Sequence, residues 1–195
     1  MSELIPVEYH PLTPFLPANA KLLMLGSFPP QQKRWSMDFY YPNLQNDMWR
    51  IFGLIFKDDR SAFVDIDRKC FIKPLLIDFL QEKGVALYDT ASAVRRLQGN
   101  ASDAALEVVE ATDVPALLRQ IPDCVAIVTT GQKATDTLRA LFGLEQPSVG
   151  GAVSFTFENR AMKLYRMPSS SRAYPMKLEK KAEFYKKMFD EIGLL

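Results

Sequence analysis

The sequence predicts an α/β sandwich, with helices on both faces of a mostly parallel sheet. Residues 22–25, 85–88 and 125–128 are short, continuous apolar runs, the pattern of strands buried on both faces. Each is followed by a turn-like or polar segment and then by helical periodicity, the alternation that builds a parallel sheet. Near the C-terminus the period changes to two: Val153-Ser154-Phe155-Thr156-Phe157 alternates, Glu158-Asn159-Arg160 turns, and residues 162–167 alternate back. That reads as an antiparallel hairpin delivering a fourth strand.

The helices follow in order. Residues 46–56 carry apolar side chains at Met48, Trp49, Ile51, Phe52, Leu54, Ile55 and Phe56, a strongly buried helix. Residues 71–81 form a second, and Lys83-Gly84 stops it before the next strand, glycine being the natural helix terminator. Residues 113–120 make a short helix with Pro115 in its first turn. Residues 131–142 and 176–192 complete the set. No repeat, low-complexity tract or linker interrupts the chain, so residues 1–195 are expected to form a single domain.

Composition excludes several chemistries. An apolar content of 48% is enough for a full core, and no stretch approaches the roughly 20 apolar residues of a membrane span. Met1-Ser2-Glu3-Leu4-Ile5-Pro6 lacks the layout of a signal peptide, so a cytoplasmic location is expected. Cys70 and Cys124 stand far apart with no CxxC, the pattern of structural reduced thiols rather than of a zinc or iron–sulfur site. His10 is the single histidine, in a leader with Pro6, Pro11, Pro14 and Pro17, and histidine chemistry is not expected. The net charge is +1, but Arg160, Lys163, Arg166, Arg172, Lys177, Lys180, Lys181, Lys186 and Lys187 face only Glu179 and Glu183 in the same segment. Such a basic region meets a phosphate backbone or is a solvated helix face.

Two strand endings open onto loops suited to a ligand, which in open parallel sheets binds at the carboxyl ends of the strands. Leu25-Gly26-Ser27-Phe28-Pro29 exposes an aromatic ring able to stack on a heterocycle or to plug the core. Met167-Pro168-Ser169-Ser170-Ser171-Arg172 offers three hydroxyls, backbone N–H groups and a guanidinium, a phosphate grip or a plain turn. Between them lie Tyr40 and Tyr41, of which one turns to the core and one to a ligand. Asn46, with Asn43 as its rival, either orients a nucleophile or base through its amide or caps the helix that follows. Asp89 reads as a loop anchor to Arg95 or Arg96, and Asp103 as a helix cap with Asn100.

Taken together, these segments resemble the uracil-DNA glycosylase superfamily, closest to its hypoxanthine-DNA (deoxyinosine) glycosylase branch. The resemblance spans residues 21–185. It rests on Leu25-Gly26-Ser27-Phe28-Pro29, on Tyr40-Tyr41 followed by Asn46 and Trp49, on Gly84-Val85-Ala86-Leu87-Tyr88-Asp89 with Arg96 and Ser102-Asp103, on Gly131 with Lys133-Ala134, and on Met167-Pro168-Ser169-Ser170-Ser171. It implies a three-layer α/β/α sandwich with a central four-stranded mostly parallel sheet, no metal and no cofactor. It implies a monofunctional enzyme, acting as a monomer on DNA containing a damaged base, that hydrolyses the N-glycosidic bond of hypoxanthine or uracil. Asn46 would be catalytic; Gly26, Ser27, Phe28, Tyr40, Tyr41 and Asn43 would hold the base; Ser169, Ser170, Ser171 and Arg172 would hold DNA. The chain departs from the pattern in having no carboxylate or amide in Ser27-Phe28-Pro29-Pro30, and Met167 where histidine is common. A non-catalytic DNA- or protein-binding module on the same fold, or a nucleoside or nucleotide hydrolase, are the alternatives.

Overall fold

The computed structural model describes residues 5–97 and 103–195. In chain order its elements are β1 (Glu8–Tyr9), β2 (Leu22–Gly26), α1 (Met48–Lys57), β3 (Val64–Asp65), β4 (Cys70–Phe71), α2 (Lys73–Lys83), β5 (Val85–Asp89), β6 (Ala91–Arg96), β7 (Leu106–Ala111), α3 (Val114–Gln120), β8 (Ala126–Thr130), α4 (Gln132–Phe142), β9 (Ala152–Phe157), β10 (Arg160–Met167) and α5 (Leu178–Glu191). The central sheet has the order β5-β2-β8-β10-β9. Its first four strands run parallel, and β9 closes one edge antiparallel to β10. The sheet therefore has five strands, not the expected four, because the first arm of the hairpin pairs along six residues of β10 instead of merely leading into it.

Every residue of β2, β5 and β8 is buried. Because successive side chains in a strand point to opposite faces, both faces must be covered. The chain moves from β2 one way to β5, then back past β2 to β8 and β10, so crossovers of the usual right hand place α1 and α2 on one face and α3 and α4 on the other. On one face α1 is the hub, with Phe52 against Phe79 of α2 and Phe189 of α5, ring centroids 6.1 and 5.2 Å apart.

The second helix ends at Gly84, which sits at φ 70° and whose Cα lies so close to the Asn19 carbonyl that an added Cβ would come within 2.5 Å of it. Only glycine meets both demands.

A second, smaller sheet, β1-β6-β7, was not anticipated. Among its described residues, the segment 91–111 carries two strands and a 3-10 turn (Asp103–Ala105) in place of the expected helix start. The reason lies in the pairing: Ala93, Val94 and Leu106 are buried while most of β7 is exposed, so a half-covered antiparallel ladder forms. Asn100, Ser102 and the side chain of Asp103 lie outside the described residues.

Cys70 and Cys124 are free thiols. Burial pushes the Cys124 thiol from 9.0 up to about 11. A folded-state value above the unfolded one gives stabilisation that is fully present below pH 9.0 and is lost as pH rises through about 11. Unfolding free energy measured across that window should fall by about 3 kcal/mol at most from this group, and Cys124→Ala should remove that part of the slope. An unchanged slope in the variant would show that the thiol does not contribute. Among the described residues no helix is long and apolar enough to cross a membrane.

Candidate functional site

The parallel strands end level with one another. Gly26 pairs with Asp89 and Thr130 with Met167, so β2, β5, β8 and β10 all deliver their last residues to one edge. The chain reverses direction between β2 and β8, the switch point at which open α/β sheets leave a crevice. A cavity of about 760 Å³ lies there. It is lined by Gly26, Ser27, Phe28, Pro29 and Pro30 from the first loop, Asp89 from β5, Thr130 from β8, and Ser169, Ser170, Ser171 and Arg172 from the last loop. The segment before α1 supplies Tyr40, Tyr41, Asn43, Gln45 and Asn46, and Arg34 stands at its margin.

Every residue that the sequence singled out for ligand contact is thus in one cavity, but their presentation differs. Phe28 is 91% buried, being 9% exposed, and packs with Ala91, Val94 and Leu106. Arg96 lies 5.6 Å over its ring and His10 meets it edge-on at 5.3 Å. Of the two readings the sequence left open, much of the ring follows the plug, with a small part exposed to the cavity. Tyr40 turns inward and donates its hydroxyl to the Thr13 carbonyl at 2.8 Å. Tyr41 stays half-buried at φ 48°, its hydroxyl 3.3 Å from Thr130 Oγ1 and its ring edge-on to Trp49. A left-handed backbone under an aromatic side chain costs on the order of 1–2 kcal/mol, a strain that marks Tyr41 as deliberately placed.

Asn46 precedes α1, with Asp47 in the capping position and the helix beginning at Met48. Its Oδ1 accepts the Met48 N–H at 2.9 Å. Capping and ligand contact are therefore compatible: the acceptor end is tied to the helix, and Nδ2 donates to no described residue. Arg50 steadies the segment by donating to the carbonyls of Leu44 and Asn46. Asn43 is held in the same manner but in a more exposed turn, its Oδ1 accepting the Gln45 N–H and its carbonyl the Asn46 N–H.

The last loop is stitched to this segment by backbone. The Asp47 N–H donates to Ser170 at 2.7 Å and the Arg172 N–H to Gln45 at 3.1 Å. Ser169 Oγ and Ser171 Oγ accept backbone N–H groups two residues on, while Ser170 is nearly wholly buried. Asp47 Oδ1 accepts from Arg172 Nε, and its Oδ2 from Lys181 Nζ, which also donates to the Ser171 carbonyl. The basic segment does not form one face. Lys181 is fully buried, Arg160 donates to the carbonyls of Leu118, Ile121, Pro122 and Cys124, and Arg172 alone of the nine lines the cavity.

Two residues were misjudged. Asp89 does not anchor Arg95 or Arg96: Arg95 pairs with Glu107, and Arg96 with Glu8 and the Pro29 carbonyl. Asp89 Oδ2 instead accepts from His10 Nε2 at 2.7 Å, and its side chain lines the cavity. His10, dismissed as part of a leader, is buried among Phe28, Tyr40 and Tyr88. The Tyr40 and Tyr88 phenols are pushed upward, first by burial and next by the charge of Asp89, so they remain neutral walls. The in-register place of Asp89 beside Gly26 was the available signal; nothing in the sequence marked His10. Among the described residues, no group of three or more His, Cys, Asp or Glu side chains could hold a metal ion.

No family model and no curated protein matches this sequence. A solution NMR structure from Methanosarcina acetivorans, of a protein provisionally named a uracil DNA glycosylase, superposes with a TM-score of 0.64. It covers 96% of this chain and 99% of its own at 21% identity, a likeness of fold.

Proposed function

We propose that this protein is a monofunctional DNA glycosylase that hydrolyses the N-glycosidic bond of a deaminated base, hypoxanthine ahead of uracil. The observation that carries this is the cavity itself: one crevice joins an aromatic wall (Tyr41 and part of Phe28), an amide whose donor end is uncommitted (Asn46), and a Ser-rich loop with a guanidinium. The solution structure sharing the fold bears a name of the same class. A base inside a duplex is out of reach, so the nucleotide must be flipped into such a pocket at a cost of a few kcal/mol. As the bond breaks, negative charge develops on the base, and a donor fixed in advance stabilises it. Asn46 is so fixed, because Met48 N–H holds its Oδ1. Among the described residues no lysine lines the cavity, in keeping with attack by water instead of a Schiff base.

The test is single-turnover base release from oligonucleotides carrying hypoxanthine, uracil, xanthine or a thymine mismatch. Release of hypoxanthine faster than uracil is expected. No release from any lesion, with DNA binding intact, would leave a binding module. Affinity should also fall steeply with salt as phosphates release counterions. Arg34 is exposed at the cavity margin, and Arg34→Gln should weaken binding uniformly and reduce the slope of log K against log salt by about one. A slope equal to that of wild type would remove Arg34 from the phosphate path.

A further inference from the structure

Asp89 is a carboxylate lining the cavity whose two oxygens have different fates. Oδ2 is committed to His10 Nε2. Oδ1 accepts no hydrogen bond from any described residue, yet no side-chain oxygen of the described residues is sealed away without a partner. The residue is 7% exposed and what remains open faces the cavity. Gly26 makes this possible: a Cβ there would meet Asp89 Oδ1 at 2.6 Å. The glycine at the end of β2 therefore cedes its space to a carboxylate from the neighbouring strand, where the β2 loop itself, Ser27-Phe28-Pro29-Pro30, has neither acid nor amide.

His10 fixes that carboxylate. Its Nδ1 lies 3.1 Å from the Leu12 N–H and 3.0 Å from the Leu12 carbonyl, so the ring has a backbone partner whether Nδ1 accepts or donates. With Nδ1 accepting the Leu12 N–H, the ring proton sits on Nε2 and points at Asp89. Tyr88 packs on the ring tilted at 4.6 Å and Phe28 meets it edge-to-face at 5.3 Å.

We propose that Asp89 faces the sugar of the flipped nucleotide as a catalytic carboxylate, with His10 as its positioning residue. This rests on the glycosylase function proposed above. In the reaction, a water oxygen forms its bond to C1′ as the C1′–N bond breaks and that electron pair leaves with the base. Asp89 Oδ1 takes the water's proton, which passes through solvent to the base anion. The sugar carries positive charge on the way, and a fixed carboxylate beside it favours that state.

A duplex bearing a pyrrolidine abasic mimic, which is cationic, reports this charge without any chemistry; a duplex bearing neutral tetrahydrofuran at the same place is the reference. Wild type should prefer the pyrrolidine duplex, and Asp89→Asn should lose about tenfold of that preference, with tetrahydrofuran affinity unchanged. Asp89→Ser is a second variant should the first unfold. His10→Ala should lose part of the preference, and His10→Gln, which keeps a donor, should restore it. No preference in wild type, or the same preference in Asp89→Asn, overturns the proposal. A preference that depends on Asp89 in a protein that releases no base would support the carboxylate's place at the sugar while ending its hydrolytic role.

Discussion

Asn46→Ala should lower the single-turnover rate of base release by about 10²–10³-fold, with affinity for lesion DNA changed far less. The magnitude is that of removing one preorganised donor from a site where charge develops, roughly 3–4 kcal/mol. The geometry predicts this for Asn46 and not for Asn43. Both amides tie their oxygen to a backbone N–H two residues on. The Asn43 bond is exposed to solvent, while that of Asn46 is half-buried on a segment bridged to Ser171, so Asn43→Ala should cost a few-fold at most. Asn46 has its oxygen fixed by Met48 and its nitrogen uncommitted in a cavity-lining side chain. Asn46→Ala also removes a helix-mouth bond worth about 1 kcal/mol, so a slow variant could reflect a loosened segment. Asn46→Asp separates the two effects. It keeps an acceptor for Met48 N–H and removes the donor, so it should be as stable as wild type and as slow as the alanine variant. A fast Asn46→Asp enzyme would show that the donor plays no part.

What could be read from sequence was whatever local pattern encodes. The buried strands announce themselves as apolar runs, and Leu22–Gly26 and Val85–Asp89 end where those runs end. The loops beyond them carry unusual residues, which is why Tyr41, Asn46 and Ser169 could be grouped before their meeting was visible. What could not be read depends on partners distant in sequence. His10 meets Asp89 from a Pro-rich segment with no periodicity to place it, because β1 pairs antiparallel with β6 through only two residues. The basic segment looked like a surface because charge density is visible in sequence and burial is not. Arg160 and Lys181 are engaged inside the fold, by carbonyls and by Asp47. Phe28 was open to two readings for the same reason: its cover, Arg96, comes from the small sheet that the alternation did not reveal.

Asp47 should prove the most costly residue to remove. Its two oxygens bind Arg172 at 3.1 Å and Lys181 at 3.3 Å, and Lys181 has no exposed surface at all. Attraction within such a pair is offset by the cost of drying both ions, so the pair itself is no large source of stability. Removing one partner is different, because an ammonium would be left in the core with only the Ser171 carbonyl. Asp47→Ala should therefore lose about 3–5 kcal/mol, a fall in Tm on the order of 10 °C for a chain of this size. Lys181→Met should cost less, since it removes the buried charge and leaves Asp47 with Arg172. The double variant Asp47→Ala, Lys181→Met should recover more than half of the loss, which thermal unfolding of the four proteins will measure. If the two losses simply add, the pair is not coupled and another interaction holds the site. If they couple, the cluster has a consequence for function. Asp47 follows Asn46, and Lys181 donates to Ser171, so one buried ion pair fixes the amide and the Ser-rich loop against each other. Catalysis in Asp47→Ala should then fall at temperatures where the variant is still folded, whereas the double variant should regain folding without regaining rate.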